Sequence, residues 1–563
     1  MKFQDYKYER PNMEVLTQTF EEALIQFKEA NSLNAQKAAM DTINKLRLDF
    51  DSMQSIASIR HSVNTKDEFY DKENDFFDEH SPMFQKLSNA FYEALVDAKY
   101  RKELENTYGD LLFKIADQSL KTFDEVILDD LKRENNLVSK YDKLIASAEI
   151  EFEGETRNLS QMAPFTQDKN REKRKAANEA VFKFFEDHET TLDEIYDDLV
   201  KVRTTIAKKL GYETFTELAY ARLGRLDYNH EDVANYRKQV LDYIVPVASE
   251  LVEKQGKRIG IKDMKSYDLA LKFLSGNPTP KGTQETLVAE AKTMYEEMSK
   301  ETDKFFNFML DRNLMDLESK KGKQGGGYCT AIPNYDSPFI FANFNGTSHD
   351  VDVLTHEAGH AFQVYQSMHH EVPEYMWATL EASEIHSMSM EFFAWPWVNK
   401  FFKEDTTKYK FDHIASSLTF IPYGVAVDEF QHEVYANPDM TPKERKSTWR
   451  KIEKKYLPYK VYENDFLERG GFWFRQSHIF AVPFYYIDYT LAQVCAFQYW
   501  AWDQENHEEA WQSYLNLCQT GGSKTFLGLL NMANLKNPFK DGTIGSVIPK
   551  LKAFLDSVDQ NDL

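Results

Sequence analysis

The sequence predicts a mainly α-helical protein of two lobes, and three observations carry that expectation. Apolar residues recur at three- and four-residue spacing from Val15 to Phe50 and from Met83 to Asn136, among Glu, Lys, Asp and Gln. Gly and Pro are nearly absent from residues 12–150, so helices there can be long. The 563 residues exceed the length at which a single hydrophobic core keeps growing. No heptad is sustained in the N-terminal stretch, which favours a packed helical lobe over a coiled-coil arm.

In chain order, residues 1–190 are expected to form the N-terminal helical lobe, with a polar stretch around Ser160 to Lys175 inside it, and residues 191–563 the second part. The texture changes between Lys320 and Gly346. A loop ending in Gly325-Gly326-Gly327 can take positive φ. Beyond it, Phe339 to Phe344 is aromatic and β-branched, bounded by Pro338 and the Asn345-Gly346 turn signal, and reads as a strand. Thr347-x-x-Asp350 then has the form of a cap, opening a helix near Ser348.

Composition narrows the function. A formal net charge of −23 leaves no basic stripe to neutralise phosphates, which argues against nucleic acid as a partner. Aromatic residues reach 14%, enough to fill a large core and also to line a groove that grips peptide side chains. Three widely spaced cysteines, Cys329, Cys495 and Cys518, suggest neither a disulfide framework nor a thiolate metal site. The first ten residues lack the apolar stretch of a secretory signal, and no run reaches the ~18 apolar residues of a membrane span. A cytoplasmic location is expected, with no membrane partner.

The chemistry is carried by His356-Glu357-Ala358-Gly359-His360, of the form H-E-x-x-H. Helical residues four apart share a face, so both imidazoles can meet one ion, and Glu357 lies beside the first. Zinc lowers the pKa of a bound water toward ~7, and a neighbouring carboxylate can take its proton during attack on a carbonyl. A tetrahedral catalytic zinc takes a third protein ligand. The helical run from Trp377 to Trp395 offers Glu381, Glu384 and Glu391, spaced i, i+3 and i+10 and so roughly on one face. Spacing alone does not choose among them. His432-Glu433 has Ala436 where a second His belongs, and His369 and His370 lie at a loop, so none of these histidines is assigned to the metal.

His356 to His360, followed by Glu384-Ile-His-Ser-Met-Ser-Met-Glu391, resembles the thimet oligopeptidase (M3) family of zinc metallopeptidases, in particular its oligoendopeptidase F and Pz-peptidase branch. The resemblance implies a neurolysin-like zincin fold: two helical lobes, a deep central channel with one zinc per chain on its floor, and a small β-sheet beside the active-site helix. It implies that residues 191–563 are the catalytic domain, that Glu384 is the third ligand, and that Glu381 orients a ligating histidine. Glu391 is then expected to be structural. The segment Gln476 to Thr490 resembles the family's H…YY…Y element, which implicates His478 and Tyr489 in stabilising the oxyanion and Tyr485 and Tyr486 in contacting substrate. Strand Phe339 to Phe344 is expected to offer an exposed edge to the peptide backbone, with Phe341, Asn343 and Gly346 meeting substrate and the Gly-rich loop moving on closure. The function implied is zinc-dependent cleavage of internal bonds in short unfolded oligopeptides, with Glu357 as general base. The alternatives are a peptidyl-dipeptidase or other exopeptidase, and a catalytically silent peptide-binding protein.

Overall fold

The computed structural model describes residues 1–559 and Leu563. Helices dominate it. The N-terminal periodicity becomes three long helices, Met13–Lys28, Leu33–Val63 and Glu68–Val96. Each opens on a side chain that accepts from the first free backbone N–H groups: Asn12 from Val15, Ser32 from Ala35, and Asp67 from Phe69 and Tyr70. Their inward faces, with the helix Leu111–Leu120, build an apolar cluster of their own around Phe20, Phe27, Phe50, Phe84 and Phe91. A larger cluster runs through the rest of the chain, from Phe3 to Leu555. A cavity of about 600 Å³ lies where the two meet, lined among others by Tyr92, Ile115, Gln118, Arg222, Leu226 and Ala481. Among the described residues, no helix is long and apolar enough to cross a membrane.

The predicted strand is present as Ser337–Phe344, but it is neither isolated nor at an edge. It is the central strand of three, parallel to Met315–Glu318 and antiparallel to Tyr328–Ile332. Its uninterrupted apolar run, buried from Ser337 to Ala342, is the pattern of a strand covered on both faces, and both of its hydrogen-bonding sides are taken. The free edges belong to the flanking strands. The helix after the strand, His349–Ser367, packs against it and turns its apolar face, with Leu354, Ala361 and Phe362, into the core.

Its start is built differently from the expected cap. The Ser348 side chain makes no capping bond. Instead the Asp350 carboxylate accepts from the backbone N–H groups of Asn345 and Gly346, both at 2.8 Å. This stitches the turn to the helix. Burial still pushes the Asp350 pKa up to about 6 against those two bonds.

Candidate metal centre and active site

The helix His349–Ser367 carries His356, Glu357 and His360 on consecutive turns, and the helix Leu380–Phe393 crosses it carrying Glu384. Their contact is backbone to backbone at Gly359, where an added Cβ would lie 2.6 Å from Ser387 Cα and 2.7 Å from His386 O. That approach delivers Glu384 Oε2 to 3.2 Å from His356 Nε2 and 3.4 Å from His360 Nε2. Two ligand atoms ~2.0–2.1 Å from a tetrahedral zinc stand ~3.3–3.4 Å apart. Both separations from Glu384 Oε2 match, so that oxygen stands at zinc-ligand spacing from each imidazole nitrogen, and the three ligand atoms all lie within 4.8 Å of one another. The electrostatics agree. Burial opposes a charge on His356, yet Glu384 and Glu391 on its two ring nitrogens outweigh it and hold its pKa well above the usual range. The charge that favours a proton there equally favours a metal cation.

The three candidate carboxylates of the second helix go three separate ways. Glu384 closes the ligand set; its Oε2 also accepts from Ser387 Oγ at 2.9 Å, and its Oε1 from the Tyr485 hydroxyl. Glu391, expected to be structural, accepts from His356 Nδ1–H at 2.8 Å. That fixes the His356 tautomer and leaves Nε2 bare to face an ion. The expectation for Glu381 is corrected accordingly. Its partners are the Tyr228 hydroxyl and, at 3.7 Å, Arg225 Nε, because the helix turns it away from the histidines toward the loop holding those two residues.

Behind Glu391 the bonds continue. Trp395 Nε1–H donates to His413 Nδ1 at 2.9 Å, so the His413 proton sits on Nε2 and is donated to Glu391 Oε2 at 2.8 Å. Glu391→Gln should therefore weaken zinc binding by about 10–100-fold, since an amide presents an N–H where one of the two histidines also presents one. Chelator competition measures it, and an unchanged zinc affinity would rule the orienting role out.

Glu357 is 5% exposed, and its Oε2 has no protein partner. Burial raises its pKa, against the charges of His356 and His360. Gly327, the last of the three glycines, passes directly over it, with an ideal Cβ 3.2 Å from Glu357 Oε1. The loop before Gly327 is tied down. Asn343 Nδ2 donates to Gln324 O at 2.9 Å and Gly326 O at 2.8 Å. Lys323, buried to 2% exposure, donates to Asp316 Oδ1, Glu318 O and Ala342 O.

The expected substrate-binding set changes as a result. Phe341 is fully buried and stacked on Tyr328, Asn343 is spent on the loop, and the Gly346 N–H is spent on Asp350. Tyr485 is likewise engaged, on Glu384. Tyr486 stands between Phe420, Tyr423 and His478. His478 Nε2 meets the Tyr489 hydroxyl at 3.1 Å, and the Tyr489 ring lies 5.1 Å from that of Tyr485, beside the ligand set.

Sequence reasoning did not find Arg225 or Phe484. Arg225 is fully enclosed; its Nη2 donates to Asp488 Oδ1 and Phe484 O, both at 2.7 Å. Phe484 has φ +67°, a left-handed conformation uncommon for a bulky residue, and is held there by Arg225 on its carbonyl and Gln431 Oε1 on its N–H at 2.9 Å. This kink sets the next residue, Tyr485, onto Glu384. Pro483 is the one local hint of it in the sequence.

Comparison with known proteins agrees with this geometry. Residues 3–123 match the family model for the peptidase M3 N-terminal domain, and residues 165–547 match that for peptidase family M3. The oligoendopeptidase F homolog of Borreliella burgdorferi is 24% identical over 432 residues, spanning 74% of this chain and 70% of that one. The Lactococcus lactis homolog is 25% identical over 300 residues, 48% of this chain and 47% of that one. Among solved structures, an inhibitor-bound Pz peptidase A is 57% identical, covering 99% of this chain and 100% of that one with a TM-score of 0.99. A Bacillus anthracis (strain Ames) protein provisionally assigned as an oligoendopeptidase F is 55% identical, covering 100% and 99%, with a TM-score of 0.95.

Proposed function

This chain belongs to peptidase family M3 and is a metallopeptidase; from that premise we propose that it is a zinc-dependent endopeptidase cutting internal bonds of short, unfolded oligopeptides. The observation that carries the reading is the convergence of His356 Nε2, His360 Nε2 and Glu384 Oε2 beside a buried, unpartnered carboxylate oxygen of Glu357. His356, His360 and Glu384 would hold one zinc. When bound, zinc supplies acidification of a water and polarisation of the scissile carbonyl. Glu357 takes the proton from the attacking water and passes it to the leaving amine, a task that its raised pKa suits. Tyr489 donates a hydrogen bond from its hydroxyl to the carbonyl oxygen as negative charge develops there, and His478 supports it from behind.

The peptide backbone pairs with the free edge of Tyr328–Ile332, which begins beside Gly327 and so leads straight to Glu357. Residues 1–190 act as an N-terminal helical lobe facing the catalytic part, 191–563, across a channel that admits extended peptides and excludes folded ones. The apolar cluster from Phe20 to Ala116 supports an N-terminal lobe, while Phe123, Tyr141, Phe182 and Phe185 pack with the larger cluster, so the separate core of that lobe stops well short of residue 190. The enzyme works in the cytoplasm, on peptides left by larger proteases.

The test is cleavage of a quenched fluorescent peptide of about ten residues, blocked at both ends. Internal cuts that vanish with a chelator and return with zinc are expected. A zinc-loaded sample that cuts only peptides with a free terminus would replace the endopeptidase reading by an exopeptidase one.

A further inference from the structure

The geometry points to Gln476 as a positioning residue, which fixes the His478 tautomer and thereby leaves the Tyr489 hydroxyl free to donate to substrate. The Tyr423 hydroxyl donates to Gln476 Oε1 at 2.8 Å, which turns the other end of the amide, Nε2, toward His478. Gln476 Nε2–H then donates to His478 Nδ1 at 2.8 Å. A ring nitrogen that accepts a hydrogen bond carries no proton, so the neutral imidazole keeps its single proton on Nε2. That proton is donated to Tyr489 Oη at 3.1 Å. With its oxygen accepting from His478, Tyr489 keeps its own hydrogen for another acceptor.

The opposite setting shows why this matters. With the amide reversed, Gln476 Oε1 would face His478 Nδ1 and demand a proton there. Nε2 would then be bare and would accept the Tyr489 hydrogen, and the oxyanion would lose its donor. Burial favours a neutral ring, lowering the His478 pKa to about 4, so a doubly protonated imidazole does not bypass the choice near neutral pH. Tyr423 sits on the helix Thr406–Ala436 with its ring edge-on to Trp449 and Phe472, a rigid seat for the first donor in the series.

The inference rests on the reading of Tyr489 as oxyanion donor, and a double-mutant cycle tests the two separately. Gln476→Met is expected to lower kcat roughly tenfold, the usual cost of an outer partner, with KM little changed. Tyr489→Phe is expected to lower kcat about 10²-fold. In the Tyr489→Phe background, Gln476→Met should cost nothing further, because there is no hydroxyl left to prepare. Tyr423→Phe, which keeps the ring packing, should show a smaller loss that vanishes in the same background, and it decides the matter should the Gln476 variant not fold. An equal loss in both backgrounds, or no loss with Tyr489 intact, overturns the role of Gln476 while leaving Tyr489 in place. Full kcat in Tyr489→Phe overturns the oxyanion reading itself, and this inference with it.

Discussion

Glu357→Gln is expected to keep its zinc and lose on the order of 10³-fold in kcat, with KM within a few-fold of the parent. The substitution is nearly isosteric, at a site 5% exposed and overlain by Gly327, so neither the helix nor the loop has reason to move. The ligand atoms belong to His356, His360 and Glu384 and are untouched. What changes is that an amide oxygen does not take a proton from water, and a factor of 10³ corresponds to about 4 kcal/mol of lost transition-state stabilisation. The combination is diagnostic. Loss of metal together with activity would mean that Glu357 holds the site's shape; appreciable kcat in a zinc-loaded variant would mean that another group is the base. Metal analysis beside steady-state kinetics on the blocked peptide separates these results.

The parts of this site that could be read in the sequence are those fixed by local geometry. The helical period alone puts His356 and His360 on one face, and the dense apolar run before them marks a strand. What could not be read depends on segments far away in the chain. Glu381, Glu384 and Glu391 share a helix face by spacing, but their roles are set by what lies opposite each: Tyr228, the histidine pair, and His413. The same holds for Ser337–Phe344. A run covered on both sides differs from an edge strand only through its partners: Met315–Glu318 is four residues long with two acids, and Tyr328–Ile332 is only five residues long, so neither announces itself. Buried hubs such as Arg225 and Lys323 leave no periodic trace, because a charged residue in a loop is normally solvated. Gln476 is in the same position: one residue among many until Tyr423 and His478 are seen on either side of it.

The second large effect is expected at Gly359, and its sign decides between two physical terms. Gly359 lies within a helix and away from positive φ, so Ala there should stabilise the chain by about 1 kcal/mol if helix propensity alone mattered. Against this stands the crossing of the two ligand-bearing helices. The new methyl would sit 2.6 Å from Ser387 Cα, 2.7 Å from His386 O and 3.0 Å from Met390 Cβ. The nearest two are backbone atoms of a buried helix, with no flexible side chain to swing away. Overpacking of this kind costs about 1–3 kcal/mol, and a backbone clash belongs at the upper end, so it outweighs propensity. Relief requires the helices to part, and Glu384 travels with the second of them, away from His356 and His360. Gly359→Ala should therefore be net destabilised by about 1–2 kcal/mol in denaturant unfolding, the difference of the two terms. It should also lose at least the tenfold in zinc affinity that disturbing an outer partner costs, since here a ligand itself is drawn off. A variant that is more stable than the parent and binds zinc as tightly would show that the helices have room to spare, and that the match of the 3.2 and 3.4 Å ligand separations to a zinc ion does not depend on their close approach.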